Sequence, residues 1–216
     1  MKSLILLILL ILFLFSNSFA YEFKLNQKDK NLIEKSTQKS FILKRLEKYE
    51  EVKNKARNLD INKKLTQINL FINGSLAEFD NASMGIDDYW MTPKEFFIKG
   101  HGDCEDYVIA KYFTLLELGV KKENLYPAIV KVEGSASLHL VLLYVEDKNK
   151  SPLVLDNLSF KILPFSKRTD LTPIAAFNEI DSYTLTREKF LQKANVDWGK
   201  ENKWEKLLNR VYKLDE

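Results

Sequence analysis

The spacing of apolar residues changes at Gly119, and this change constrains the fold more than any other feature of the chain. Before Gly119, apolar residues recur at helical spacing on one face, which also carries Cys104. Three segments rich in valine, isoleucine, leucine and tyrosine follow, at 125–132, 138–145 and 153–156. Such segments are typical of β-strands. The pattern predicts a helix packed on a sheet, and therefore an α+β fold.

The second of these segments is predicted to be a central strand. Residues 138–145 are apolar on both faces apart from His139, and a strand of that kind is normally covered on both sides. Residues 148–152 form a turn signal before the third segment, so the last two strands are predicted to run antiparallel. Two shorter segments, 160–163 and 183–185, are expected to add edge strands.

The first twenty residues have the pattern of a secretory signal peptide. Met1 and Lys2 precede an unbroken apolar run, Leu4 to Phe15, and Ser18 and Ala20 form a small-x-small cleavage pattern. The run is shorter than the roughly 20 residues that a membrane-spanning helix needs, so an uncleaved anchor is the less favoured alternative. We predict cleavage near Ala20 and a mature domain of residues 21–216.

The net charge gives no reason to expect a nucleic-acid partner. The whole chain carries +3, and loss of Lys2 with the signal peptide leaves +2. Nucleic-acid binding usually needs a strongly basic face. The many lysines of the mature chain are therefore expected to be solvated.

Helical patterns dominate residues 21–80, before the proposed catalytic core at 88–185. The charged segment 27–58 predicts one long or two short amphipathic helices, and a further helix is predicted to end near Gly74. Residues 74–89 are expected to form a loop. A short helix is predicted to begin at Thr92 with Glu95 completing a capping box. Trp204, Leu207, Leu208 and Val211 form the apolar stripe of a C-terminal helix.

The only cysteine, Cys104, lies at the predicted start of a helix. An odd cysteine in an exported protein is either an intermolecular partner or a free reactive thiol, with a buried inert thiol as the alternative. A helix N-terminus favours the thiolate, but nearby carboxylates raise the pKa of a thiol. Asp103, Glu105 and Asp106 lie within two residues of Cys104. Asp103 is expected to cap the helix, and oxygen ligands clustered there would also suit calcium.

A nucleophilic thiol needs a base and a third group that orients the base. The chain has two histidines, His101 and His139. A lone histidine on an apolar strand is most often a hydrogen-bonded core residue, but the next strand ends in Asp156, which an antiparallel pair can place beside His139. We predict Cys104 as nucleophile, His139 as base and Asp156 as orienting carboxylate. His101 is the rival base, for which a loop or binding role is favoured.

Several segments of the chain resemble the bacterial transglutaminase-like cysteine proteases, in particular the periplasmic members that release biofilm adhesins. The likeness runs from about Asp88 to Phe177. It rests on Trp90-x-x-Pro93-x-Glu95-Phe96, on Gly102-Asp103-Cys104-Glu105-Asp106-Tyr107-x-Ile109-Ala110-Lys111-Tyr112, on Leu138-His139-Leu140-Val141-Leu142, on Pro152-Leu153-Val154-Leu155-Asp156-Asn157-Leu158 and on Ser166-x-Arg168-x-Asp170-Leu171. One departure is Leu140, where methionine is more usual in the family.

The resemblance implies a papain/transglutaminase-like fold, with the nucleophile at the N-terminus of a helix packed on an antiparallel sheet. It implies a periplasmic, calcium-dependent cysteine endopeptidase with Cys104, His139 and Asp156 as its triad. Asp103 and Glu105, with Asp106 as a third candidate, would bind the calcium ion. The implied substrate is the N-terminal region of a large surface adhesin, cut at a di-alanine site. The implied inhibitor is the periplasmic domain of an inner-membrane c-di-GMP receptor, so the enzyme would control biofilm release.

Two other functions are compatible with the same residues. One is acyl transfer to an amine, as in a protein-crosslinking transglutaminase or amidase, which uses the same triad. The other is a binding module that has kept this fold without catalysis. An intact set of cysteine, histidine and aspartate argues against the binding module.

Overall fold

A computed structural model describes residues 21–77 and 89–212, and its helices follow the predicted pattern closely. The predicted signal peptide lies outside these residues. The helices of the described part are α1 (Gln27–Lys35), α2 (Lys39–Ala56), α3 (Ile61–Asn73), α4 (Pro93–Lys99), α5 (Cys104–Glu117) and α6 (Lys203–Tyr212). In these same residues, no helix combines the length and the apolar character needed to cross a membrane.

The strands form one large sheet and one short pair. The strands are β1 (Leu76–Ala77), β2 (His101–Gly102), β3 (Leu125–Val132), β4 (Leu138–Tyr144), β5 (Leu153–Asp156), β6 (Ser159–Pro164), β7 (Leu171–Phe177), β8 (Ser182–Leu185) and β9 (Phe190–Lys193). The seven-stranded sheet has the order β6-β5-β4-β3-β7-β8-β9, and each neighbouring pair is antiparallel. The short strands β1 and β2 pair in parallel. The predicted α+β architecture, with the cysteine helix on an antiparallel sheet, is confirmed.

The strand β4 is buried on both faces, as its composition predicted. Leu140 and Leu142 belong to the cluster between the sheet and the helices, whereas Val141 and Leu143 belong to a second cluster on the opposite face. The second cluster includes Phe165, which lies in the turn between β6 and β7. A strand covered on both sides holds its side chains in fixed positions, which suits a strand that carries a functional histidine.

The helix α5 is the centre of the helical layer. Its residues from Asp106 to Leu115 are all buried, and it packs against β4, β3 and α3. Gly119, with φ of 81°, follows the helix in the left-handed conformation that glycine adopts without strain. The N-terminus of α5, which carries Cys104, is therefore fixed against the middle of the sheet.

The segment 27–58 forms two helices, one of the two predicted alternatives. A capping box between Asn26 and Asp29 starts α1. The helix α3 buries Leu65, Ile68 and Ile72 completely, as their spacing predicted, and Gly74 follows its last residue.

The C-terminal helix α6 packs on the same core. Trp204 and Leu207 are buried, and Trp204 makes an edge contact with Tyr112 of α5. Arg210 donates to the Trp90 carbonyl and to the carboxylate of Glu95. These hydrogen bonds from α6 hold Trp90 and the first turn of α4 in place.

The sheet differs from the prediction at the end formed by β7, β8 and β9. The predicted edge strand at 160–163 is the edge strand β6, but the segment at 183–185 lies inside the sheet because β9 pairs beyond it. The strands β7 and β9 were not predicted. The segment 74–89, predicted as a loop, contains β1, and its residues 78–88 lie outside the described part.

Candidate active site

The loop between α4 and α5 is fixed by an arginine from α2. The predicted capping box is present at the start of α4, where Thr92 and Glu95 bond each other's backbone N–H groups. Gly100 ends this helix with φ of 86°. Arg45 donates from Nε to the Phe97 carbonyl at 2.7 Å and from Nη2 to the Ile98 carbonyl at 2.9 Å. The last carbonyls of α4 are thus satisfied, which anchors the backbone that leads to Cys104.

Gly102 permits a close approach between this loop and the first turn of α5. A Cβ atom at Gly102 would lie 2.5 Å from Oδ2 of Asp106 and 2.7 Å from its Cβ. Asp106 is fully buried, and its carboxylate accepts the N–H of Met91 at 2.8 Å and the N–H of Asp103 at 3.2 Å. Asp106 therefore caps the helix and holds the loop.

The thiol of Cys104 lies at the first position of α5 and is half-buried. It donates a hydrogen bond to Oε2 of Glu105 at 2.9 Å. Burial raises the pKa of the Cys104 thiol well above its usual value, the charge and hydrogen bond of Glu105 raise it further, and Asp103 adds to the effect. A hydrogen bond from the backbone N–H of Leu140 opposes this rise only in part. The thiol is therefore held in its protonated form at neutral pH.

The thiol of Cys104 lies close to the backbone of β4 at Leu140. Leu140 is a β4 residue and directly follows His139. The sulfur of Cys104 therefore lies against the part of β4 that carries His139. The helix that carries Cys104 also packs on the strand that carries His139.

His139 and Asp156 are brought together by neighbouring strands. Nε2 of His139 lies 2.8 Å from Oδ1 of Asp156, and the two side chains are 8% and 0% exposed. The register pairs Leu142 with Leu155, so Asp156 lies one residue beyond the last β4–β5 pair, diagonally across from His139. Because Nε2 is engaged by the carboxylate, Nδ1 is the ring nitrogen left for another partner.

Asp156 is held as a carboxylate. Burial alone would raise the pKa of Asp156, but hydrogen bonds from His139, from the Leu158 N–H and from Arg168 outweigh burial and lower this pKa to about 2. The Leu158 N–H reaches Oδ1 at 2.9 Å, and Nη2 of Arg168 reaches Oδ2 at 2.8 Å. A carboxylate that stays charged accepts the hydrogen bond of the imidazole at neutral pH and so fixes the orientation of the ring.

Three polar residues around Asp156 were not predicted as part of the site. Arg168 bonds its carboxylate, and Nδ2 of Asn73 donates to its backbone carbonyl at 2.7 Å. Lys111 is fully buried, lies about two turns after Cys104 on the same side of α5 and interacts electrostatically with Asp156. Arg168 and Lys111 lie within the segments that carried the family resemblance, which was the only signal for them in the sequence. Asn73 had no signal.

His101 lies away from the histidine–aspartate pair. It is a β2 residue paired with Leu76, and it lines a groove of about 1100 Å³ that runs along α1 and α4. Cys104, His139 and Asp156 do not line this groove. The loop or binding role favoured for His101 stays a prediction.

The three carboxylates predicted as calcium ligands do not converge. Within residues 21–77 and 89–212, no group of three or more histidine, cysteine, aspartate or glutamate residues is arranged to hold a metal ion. Asp106 is buried and accepts hydrogen bonds from backbone N–H groups, and Glu105 accepts a hydrogen bond from the Cys104 thiol. The chemistry of the donors nevertheless fits a hard cation, because Asp103 and Glu105 offer carboxylate oxygens at the helix start.

Comparison with known proteins connects this geometry to a family. Residues 43–175 match the family described as bacterial transglutaminase-like cysteine proteinases. The matched segment contains Cys104, His139, Asp156 and Arg168. Comparison with curated proteins returned no match.

Solved structures of Legionella pneumophila LapG share the fold. One, of EGTA-treated LapG, has a TM-score of 0.70 and 30% identity over 86% of this chain and 96% of that chain. Another, of calcium-bound LapG, has a TM-score of 0.69 and 29% identity over 86% of this chain and 98% of that chain. The likeness to these structures covers a larger share of the chain than the family match does.

Proposed function

Because the chain belongs to the bacterial transglutaminase-like cysteine proteinases, a family of cysteine proteases, we propose that Cys104 cuts peptide bonds with His139 as its base and Asp156 as the orienting group. The observation that carries this proposal is the buried 2.8 Å contact between His139 and Asp156, on the strand against which the helix of Cys104 packs. A buried histidine held by a carboxylate beside a thiol is the arrangement that nucleophilic catalysis requires.

The reaction follows from the position of each atom. Nδ1 of His139 takes the proton of the Cys104 thiol as the sulfur attacks the carbonyl carbon of the substrate. The C–N bond then breaks, the amine product leaves with that proton, and a thioester to Cys104 remains. A water molecule gives its proton to His139 and attacks the thioester. The carboxylic acid product leaves, and the proton returns to the sulfur.

Asp156 and the start of α5 support this reaction without changing covalently. Asp156 keeps the Nε2–H of His139 engaged, which fixes the tautomer that leaves Nδ1 available. It also stabilises the imidazolium that forms when the thiol loses its proton. The N-terminus of α5 contributes a partial positive charge close to the sulfur.

We further propose that the chain binds calcium through Asp103 and Glu105, with Asp106 as a further candidate that would first have to leave its backbone N–H partners. The LapG structures support this, since one is calcium-bound and another was treated with EGTA. Bound calcium would supply positive charge that offsets the carboxylates raising the thiol pKa. In the structure, Glu105 accepts a hydrogen bond from the thiol and Asp106 accepts hydrogen bonds from backbone N–H groups.

The calcium proposal is tested by binding and by thiol reactivity. We expect added calcium to raise the melting temperature and the rate at which iodoacetamide alkylates Cys104, and EGTA to reverse both effects. Glu105→Gln should raise the calcium-free alkylation rate, because it removes a charge that raises the thiol pKa, and should weaken the response to calcium. Glu133→Gln, an exposed residue in the loop after β3, is the matched control. A melting temperature and alkylation rate indifferent to calcium and EGTA would refute the proposal.

We propose that the substrate is the N-terminal region of a large surface adhesin, cut at a di-alanine site in the periplasm. The predicted signal peptide and the family resemblance support this assignment. The regulator would be the periplasmic domain of an inner-membrane c-di-GMP receptor that sequesters the enzyme, so that cleavage releases cells from a biofilm. Wild-type protein and Cys104→Ala should be incubated with exported adhesin fragments, with calcium or EGTA, and new N-termini sequenced.

The expected result of that experiment is a new N-terminus within a di-alanine sequence, formed by the wild type with calcium only. Cleavage of the fragments by Cys104→Ala would exclude Cys104 as the nucleophile. Conversion of glutamine side chains or crosslinking to an added amine, without a new N-terminus, would replace the protease assignment by acyl transfer.

A further inference from the structure

The two carboxylate oxygens of Asp156 have different partners. Oδ1 faces Nε2 of His139 and the Leu158 N–H, whereas Oδ2 faces Nη2 of Arg168. A carboxylate that bonds only through one oxygen can rotate about its Cβ–Cγ bond. The contact with Arg168 on the second oxygen removes that freedom and fixes the plane in which Oδ1 meets the imidazole.

Arg168 is itself fixed from the side away from Asp156. Its Nε lies 2.9 Å and 3.2 Å from the two oxygens of Asp170, and its Nη2 lies 2.6 Å from Oδ2 of Asp170. The guanidinium is 7% exposed, whereas the Asp170 side chain is 48% exposed. A chain of charged contacts therefore runs inward from Asp170 through Arg168 and Asp156 to His139.

A second cation, Lys111, lies near Asp156 but does not hydrogen-bond its carboxylate as Arg168 does. Lys111 interacts electrostatically with Asp156, but its Nζ has no hydrogen-bond partner among the described residues. Lys111 therefore contributes positive charge without constraining the carboxylate. Arg168 is the cation that touches it, and the planar guanidinium holds both Asp156 and Asp170 in one defined geometry, which an ammonium group does less well.

We propose that Arg168 is a positioning residue that, held by Asp170, orients Asp156 and through it the imidazole of His139. The proposal rests on the proposed thiol chemistry of Cys104. Loss of Arg168 leaves Asp156 charged and buried but free to rotate. The imidazole then spends less time with Nδ1 directed at the thiol, so the rate of the chemical step falls while substrate binding is unchanged. Misplacement of a catalytic group by about 1 Å can cost roughly 100-fold in rate.

The test compares Arg168→Met, Arg168→Lys and Asp170→Asn with a matched control. Arg187 is a suitable control, because it lies in the same part of the fold and, within residues 21–77 and 89–212, its guanidinium donates to two backbone carbonyls, those of Leu171 and Thr169. Arg168→Met should lower kcat by about 10- to 100-fold with little change in KM. Arg168→Lys should recover part of the loss, and Asp170→Asn should cause a smaller loss than Arg168→Met. Arg187→Met should match the wild type.

A measurement that needs no substrate separates this proposal from the protease assignment. The Nε2–H proton of His139 should give a slowly exchanging downfield proton resonance in NMR spectra of the wild type and of Arg187→Met. It should broaden or shift upfield in Arg168→Met and return in part in Arg168→Lys. His101→Asn assigns the signal, since the chain has two histidines.

The positioning role of Arg168 is refuted by any of three results. An unchanged resonance and an unchanged kcat in a folded Arg168→Met overturn the proposal, as do equal losses in Arg168→Met and Arg187→Met. If Arg168→Met does not fold, unchanged resonances and kcat in Arg168→Lys and Asp170→Asn overturn it. If the wild type cleaves no adhesin fragment but the resonance responds as expected, the positioning role stands and the adhesin assignment fails.

Discussion

Lys111 lies in the middle of α5 with its side chain fully buried, and its Nζ has no hydrogen-bond partner in the described part of the chain. Burial lowers the pKa of Lys111 from 10.5 to about 7, although attraction to Asp156 opposes this effect. A buried ammonium group without a partner is costly, whereas a buried neutral chain of similar length is not. We therefore expect Lys111→Met to stabilise the protein.

The size and the pH dependence of this gain follow from linkage. The folded pKa lies below the unfolded pKa, so the unfolded chain binds the proton more tightly between pH 7 and 10.5. The wild type therefore becomes more stable as pH rises through this window, and the cost of Lys111 is full below about pH 7. The difference between 10.5 and about 7 corresponds to a cost of up to roughly 5 kcal/mol at low pH, roughly 4 kcal/mol at pH 7 and roughly 2 kcal/mol at pH 9.

Urea denaturation of the wild type and Lys111→Met between pH 6 and pH 9.5 measures this effect. The free energy of unfolding of Lys111→Met should exceed that of the wild type, and the excess should shrink steadily as pH rises. Lys150→Met, at a side chain that is 77% exposed, is the control and should show little excess at any pH. An excess that does not change with pH, or a variant less stable than the wild type across the range, would refute the reasoning.

Two further predictions concern the acidic residues of the site. Asp156→Asn should lower the free energy of unfolding by about 2.5 kcal/mol at pH 7, because the pKa of Asp156 falls from 3.8 to about 2 on folding. The difference from the wild type in urea denaturation should vanish as pH falls from about 4 to about 2, and a peptide-cleavage assay should show a loss of about 10³- to 10⁴-fold. Gly102→Ala should destabilise the protein by about 1–3 kcal/mol in the same denaturation assay, because the added Cβ meets Asp106 at 2.5 Å. Wild-type stability in Gly102→Ala would show that the loop and helix can separate without cost.

Strands that are buried on both faces could be predicted from their apolar residues, whereas strands with few buried residues could not. The strand β4 is apolar on both faces, so its place in the middle of the sheet could be inferred from composition. The strand β7 was missed because it contains Pro173, which lies beside the irregular register between Ile129 and Val130. The strand β9 was missed because only Phe190 is buried in it.

The part of the site that depends only on neighbouring strands, the pair of His139 and Asp156, could be predicted from the sequence. An antiparallel connection between β4 and β5 was sufficient to place Asp156 beside His139. Arg168 could not be placed, because its contact with Asp156 depends on the path of the chain after β6. The hydrogen bond from the Asp103 N–H to Asp106 could have been predicted, since an acidic residue three positions after an N-cap residue can form a capping box. Clustering of three carboxylates in sequence did not require them to point toward one ion.

The nucleophile itself offers the most direct test of the account. Protein incubated with a cleavable adhesin peptide and calcium should be quenched with acid and analysed by mass spectrometry. We expect a thioester between the acyl half of the substrate and Cys104, sensitive to hydroxylamine, and neither adduct nor cleavage in Cys104→Ala. Cleavage by Cys104→Ala at the wild-type rate would contradict the account.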